Sequence, residues 1–200
     1  MWIDHIPYAD AEGRLRQLYD RIKGPDDNVD NIMLAHSLRP HTMEGHMTLY
    51  KYVLHHSANT LDKWYLEAIG VYVSLINKCG YCVEHHFGGL TRLVGDAERA
   101  KKMRRALETG TLAAAFDDKQ AAGLEYAQTL TCDPAKLTAD RIDLLRAAGF
   151  SDGEVLEINQ VTAYFNYANR TVLGLGISTD GDILGLSPGN SANPDDWQHG

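Results

Sequence analysis

Two cysteines separated by two residues, in the run Cys79-Gly80-Tyr81-Cys82, stand just ahead of a histidine doublet, His85-His86. A thiol reacts as its thiolate, and a thiolate is favoured at a helix N-terminus or beside a positive partner. Cys79-Gly80 reads as a helix break, which puts Cys82 in the first turn of the helix that follows. His86, four residues on, shares a face with Cys82, so its imidazole can take the thiol proton and later return it to a leaving alkoxide. Cys79 is near enough in sequence to capture a sulfenic acid on Cys82 and close a disulfide.

Four other chemistries compete for these residues. A c-type haem needs a histidine directly after the second cysteine, where this chain has Val83. A thioredoxin-like motif follows a strand, whereas the segment ahead of Cys79 has helical spacing. Zinc on Cys79, Cys82 and His85 or His86 is the sharpest rival, although no second CxxC or HxxxH offers a fourth ligand. Plain packing of two buried thiols is the last, and the spacing beside a helix start and a histidine doublet argues against it. No cofactor and no metal ligand is expected, with a zinc- or redox-responsive binding module kept as the alternative.

Glu67 leads into an almost wholly apolar helical stretch, with Trp64 and Val71 one turn away. A carboxyl held there would have a raised pKa and trade protons near neutrality; the plainer reading is a solvated surface glutamate. If its helix ran straight to Asn77, Glu67 would lie about 18 Å along the axis from Cys79. A hairpin about Cys79 leaves it about 7–8 Å of axial offset from His86, which makes His86 the better partner.

Turn chemistry divides the chain into the helices that must position these groups. Asp10 can cap a first helix carrying Leu15, Leu18, Tyr19 and Ile22, which Gly24-Pro25 ends. Pro40 opens a helix towards His55, and Leu61 to about Asn77 forms the next. A helix from about Tyr81 to Val94 stops at Gly95. Asp96 caps another, Asp117 or Asp118 starts one that Asp133-Pro134 ends, and Thr138 begins a shorter one ending at Gly149. Ser151 and Glu154 form a capping box ahead of a long last helix. No succession of alternating strands appears, so the fold class is all-α, a helical bundle. We expect a single domain over 1–173, with the redox core at about 61–94. Residues 174–200 read as an irregular C-terminal extension, flexible or docked on a neighbouring subunit.

Composition narrows the function. Two hundred residues with 44% hydrophobic content can bury one substantial core. A formal net charge of −8 leaves no basic face for nucleic acid or an anionic membrane. Met1-Trp2-Ile3-Asp4-His5 does not read as a secretory signal, and no apolar run approaches the ~18 residues of a membrane span. Three cysteines are too few, and odd in number, for a secreted disulfide framework. A cytoplasmic location is expected.

Glu67, eleven intervening residues, then Cys79-x-x-Cys82-x-x-x-His86 resembles the AhpD-like, carboxymuconolactone decarboxylase superfamily, in particular its peroxidase-related branch. The resemblance is strongest over Leu61 to Val94, with weaker support from Asn31-Ile32, from His36 to Pro40, and from Tyr164 to Arg170. It implies an AhpD-like fold that assembles as a homo-oligomer (dimer, trimer or hexamer). It also implies reduction of a small hydroperoxide, with Cys82 attacking, Cys79 resolving, His86 and Glu67 relaying protons, and an external dithiol or protein reductant resetting the disulfide. The chain has Tyr81 where AhpD proper carries a histidine between the cysteines. A tyrosine of pKa near 10 cannot serve as a neutral-pH base, which implies a weaker peroxidase or a different substrate. Decarboxylases of the superfamily generally lack the cysteine pair, although a lyase using His86 and Glu67 remains a further alternative. His85 is a possible second relay, His55 and His56 are surface or pocket residues, and Cys132 is a free structural thiol. Trp64, Tyr72 and Phe87 are candidates for an apolar channel or for the core.

Overall fold

The computed structural model describes residues 1–193 and 196–197. Among them, nine α-helices follow one another and there is no strand. They are α1 (Gly13–Ile22), α2 (Asn31–Leu34), α3 (Pro40–Leu54), α4 (Lys63–Ile76), α5 (Gly80–Val94), α6 (Ala97–Thr109), α7 (Asp118–Cys132), α8 (Ala139–Ala147) and α9 (Asp152–Leu175).

The apolar run ahead of Cys79 explains the arrangement. Every residue of α4 from Tyr65 to Ser74 is buried, so this helix must be covered on all sides. It forms the axis of the bundle, packed against α5, α9, α7 and α6. Helices α4 and α5 form a hairpin. Cys79 N–H donates to Ser74 O (2.9 Å) and Lys78 N–H to Leu75 O (3.1 Å), the two bonds of a Schellman ending. Lys78 takes the left-handed conformation, φ 57°, where glycine is usual. The chain therefore reverses within three residues, and Cys79 becomes the N-cap of α5.

Side-chain caps begin α6, α7 and α9: Asp96 accepts from Glu98 and Arg99 N–H, and Asp117–Gln120 and Ser151–Glu154 are capping boxes. The start of α1 differs from the expected one. Asp10 closes a short 3-10 turn, Tyr8–Asp10; the chain is then extended at Ala11, and Glu12 is the N-cap.

Beyond α9 the described residues turn back over their own chain without regular helix. Asn31 Nδ2 donates to Ser178 O and Asp180 O (both 2.9 Å), and Asn28 Nδ2 to Gly181 O (2.9 Å). Lys51 is buried and its ammonium donates to Ser191 Oγ (3.3 Å) and Asp196 O. No helix among the described residues is long and apolar enough to cross a membrane.

Candidate active site

The hairpin brings the two sulfurs together, with Cys79 Sγ and Cys82 Sγ 3.2 Å apart. Both are buried, and Cys79 has no exposure at all. The structure divides the pair differently from the sequence reading. Cys79, at the N-cap of α5, is drawn down by the Cys82 thiol and to a lesser degree by the Cys82 backbone amide, against burial. Cys82 is pushed well up by Cys79 and by burial, with Asn169 opposing weakly. The first negative charge thus falls on the capping sulfur. Of the two, Cys82 lines the cavity beside them.

That cavity lies between α2, α3, α4, α5, α9 and the C-terminal segment. Its walls include Cys82, His86, Glu67, Asp30, Tyr50 and Tyr164, and its space is about 40 Å³. That is room for a small molecule. Glu67 is buried on α4, and its Oε2 lies 2.7 Å from His86 Nδ1. This bond fixes the ring and leaves Nε2 as its second nitrogen. The Phe165 ring meets His86 edge-on at 4.5 Å between centroids. It does so by passing over Gly70, where any Cβ would strike it.

His55 is buried, with Nε2 3.8 Å from Glu67 Oε1, whereas His56 is half-buried and stacks on Tyr52. Trp64, Tyr72 and Phe87 do not line the cavity; Arg99 lies over Trp64 and Arg104 over Phe87. Cys132 is exposed at the end of α7.

Several residues of the site had no local sequence signal. Asn169 connects to Ser74 Oγ (3.0 Å) and to Asn77 (3.0 Å), tying the Cys82 surroundings to the C-terminal end of α4. His46 lines the cavity, with its pKa pushed down to about 3 by burial and then by His36 and His86. The same cavity borders a second polar group. Tyr81 hydroxyl donates to Asp182 Oδ2 (2.8 Å), His85 Nε2 lies 3.0 Å from the same oxygen, and Asn31 N–H donates to Asp182 Oδ1 (3.0 Å). Acceptor and donor atoms of Asp30, His85 and Asp182 all lie within 4.8 Å of one another. Leu186, from the same C-terminal segment as Asp182, completes the wall.

Fold and site together define the class: an AhpD-like all-α protein with a buried dithiol beside a histidine–glutamate pair. Three solved structures are similar to it in fold. An uncharacterised peroxidase-related protein from Silicibacter sp. TM1040 superposes with a TM-score of 0.76 at 25% identity, covering 88% of this chain and 90% of that one. An uncharacterised peroxidase-related protein from Ralstonia eutropha JMP134, described as an alkylhydroperoxidase AhpD core, gives 0.78 at 22% identity over 92% and 95%. The debrominase Bmp8 gives 0.67 at 19% identity over 82% and 85%. The sequence matches no protein-family model, and no curated protein sequence matches it.

Proposed function

We propose that this protein is a thiol peroxidase that reduces a small hydroperoxide through a Cys79/Cys82 dithiol–disulfide cycle. One observation carries the reading: two sulfurs 3.2 Å apart, only one of them open to a cavity that also holds a histidine fixed by a buried glutamate. His86 takes the first proton of the pair, with Glu67 steadying the imidazolium, and the proton left between the sulfurs passes from Cys82 to Cys79, so that Cys82 carries the charge as it attacks. The Cys82 sulfur then attacks the near oxygen of the peroxide; the O–O bond breaks and the alkoxide departs as the alcohol with a proton from the cavity, which the Cys79 proton replaces in the next step, giving a sulfenic acid. Cys79 attacks that sulfur and displaces hydroxide, which leaves as water with the proton from His86. Sulfur loses two electrons in total and the peroxide gains them. An external dithiol or protein reductant restores the pair. The small cavity favours hydrogen peroxide or a compact organic hydroperoxide. A homo-oligomer in the cytoplasm belongs to the same proposal.

Purified protein with dithiothreitol is expected to consume hydrogen peroxide, and Cys82→Ser to lose at least about 100-fold of that rate. Full turnover by Cys82→Ser would overturn the cycle. Bmp8 has also been solved with 2,3,4-tribromopyrrole, so the assay is repeated with a bromopyrrole. Turnover of that compound without turnover of peroxide would replace the peroxidase reading.

A further inference from the structure

An in-line displacement at a peroxide oxygen separates two proton events in space. The proton leaves sulfur on one side of the attacked oxygen, while the oxygen that departs lies on the far side, about 4 Å from the sulfur, and must gain a proton there. His86, held by Glu67, serves the sulfur. The wall of the same cavity formed by α2 and the start of α5 carries two other titratable groups, Asp30 and His85, which cluster with Asp182 of the C-terminal segment behind them.

This cluster is built to hold a proton. Asp182 is fixed from three directions by Asn31 N–H, the Tyr81 hydroxyl and His85, so it stays the acceptor of the group. Asp30 lies within 4.8 Å of both partners in an apolar wall with Ile32 and Met33. Two carboxyls that close cannot both ionise without penalty, and one retains its proton. Burial raises Asp30 to about 6, with His85 opposing, Asp182 adding and His86 opposing. A cation is the rival occupant. In this structure His85 and Asp182 pair directly with each other at 3.0 Å.

We propose that Asp30, poised by the His85–Asp182–Tyr81 group, is the acid that protonates the leaving oxygen of the peroxide. This rests on the peroxidase reading above and adds to it a second proton site. In balance, the Cys82 thiolate and ROOH, with the proton of Asp30, give the sulfenic acid, ROH and the Asp30 carboxylate. The proton on His86 stays there until hydroxide leaves in the second step. Cys79 releases its own proton then, and Asp30 regains one through solvent. Asp182 comes from the C-terminal segment, so that segment positions the acid rather than merely covering the cavity.

Leaving-group basicity gives the test. Hydroxide, from hydrogen peroxide, needs a proton as it departs; acetate, from peracetic acid, does not. Single-turnover oxidation of the reduced protein is followed with each oxidant for the parent and for Asp30→Asn. The substitution is expected to slow hydrogen peroxide about 30–100-fold and peracetic acid less than about 3-fold. In the parent alone, the ratio of the hydrogen peroxide rate to the peracetic rate is expected to fall as pH rises through about 6. Equal slowing of both oxidants, or a pH-independent ratio, overturns the acid assignment and leaves the peroxidase intact. A parent unreactive with either oxidant sinks both. Stoichiometric zinc in the protein as purified, lost in Asp30→Asn, overturns it in favour of a metal site.

Discussion

Burial raises the Asp30 carboxyl from its ordinary 3.8 to about 6. The folded chain therefore binds this proton more tightly than the unfolded chain, and the sign follows. Between about pH 4 and pH 6 stability falls as pH rises, and above pH 6 the loss is complete, about 3 kcal/mol. Asparagine has the same shape and no charge. Asp30→Asn should match the parent near pH 4 and exceed it by about 2–3 kcal/mol at pH 7.5 in urea unfolding. A gap that does not change between those pH values would mean that the carboxyl is not held up. Residues of this kind explain what was legible locally. Cys79, Cys82, His85 and His86 fall within one short run, so spacing singled them out, whereas Glu67 entered through the family resemblance. Asp182 meets His85 across 97 residues, and Asp30 and Asn169 reach the site from other helices. No periodicity relates such distant positions.

Among the elements, helices whose ends carry their own chemistry were readable. Asp96, Asp117 and Ser151 satisfy backbone N–H groups with their own side chains, so composition near the break suffices. The α4–α5 turn was legible as a break, but its left-handed residue was not, because that residue is Lys78 rather than glycine. The C-terminal segment was less legible still, since it docks through bare backbone. Gly185, at φ +82°, lies against Gly88 of α5, and a Cβ on Gly88 would stand 2.9 Å from Gly185 Cα. Two rigid backbones cannot both yield, so Gly88→Ala should lift residues 184–186 and with them Leu186 from the cavity wall. Alkylation of Cys82 by a bulky maleimide is then expected to quicken at least about 10-fold, with the circular dichroism of the helices preserved. An unchanged alkylation rate would show that this contact does not keep the cavity closed.

At the scale of the whole molecule, charge bears on the reductant. The chain carries a net −8, and Glu67 and Asp30 place acidic groups in the cavity that Cys82 faces. Any reductant must approach this sulfur through that field. An anionic thiol is repelled, and salt screens the repulsion, with a Debye length of about 10 Å at 0.1 M. A neutral dithiol feels no such barrier. The bimolecular rate at which glutathione reduces the Cys79–Cys82 disulfide should thus rise about 3-fold or more between about 20 and 300 mM salt, while the rate for dithiothreitol stays within about 2-fold. Parallel responses of the two thiols would remove electrostatic repulsion as a determinant. The prediction also bears on a protein partner. A macromolecular reductant suited to this surface would present basic residues around its own cysteine, because complementary charge raises the encounter rate more than it raises affinity.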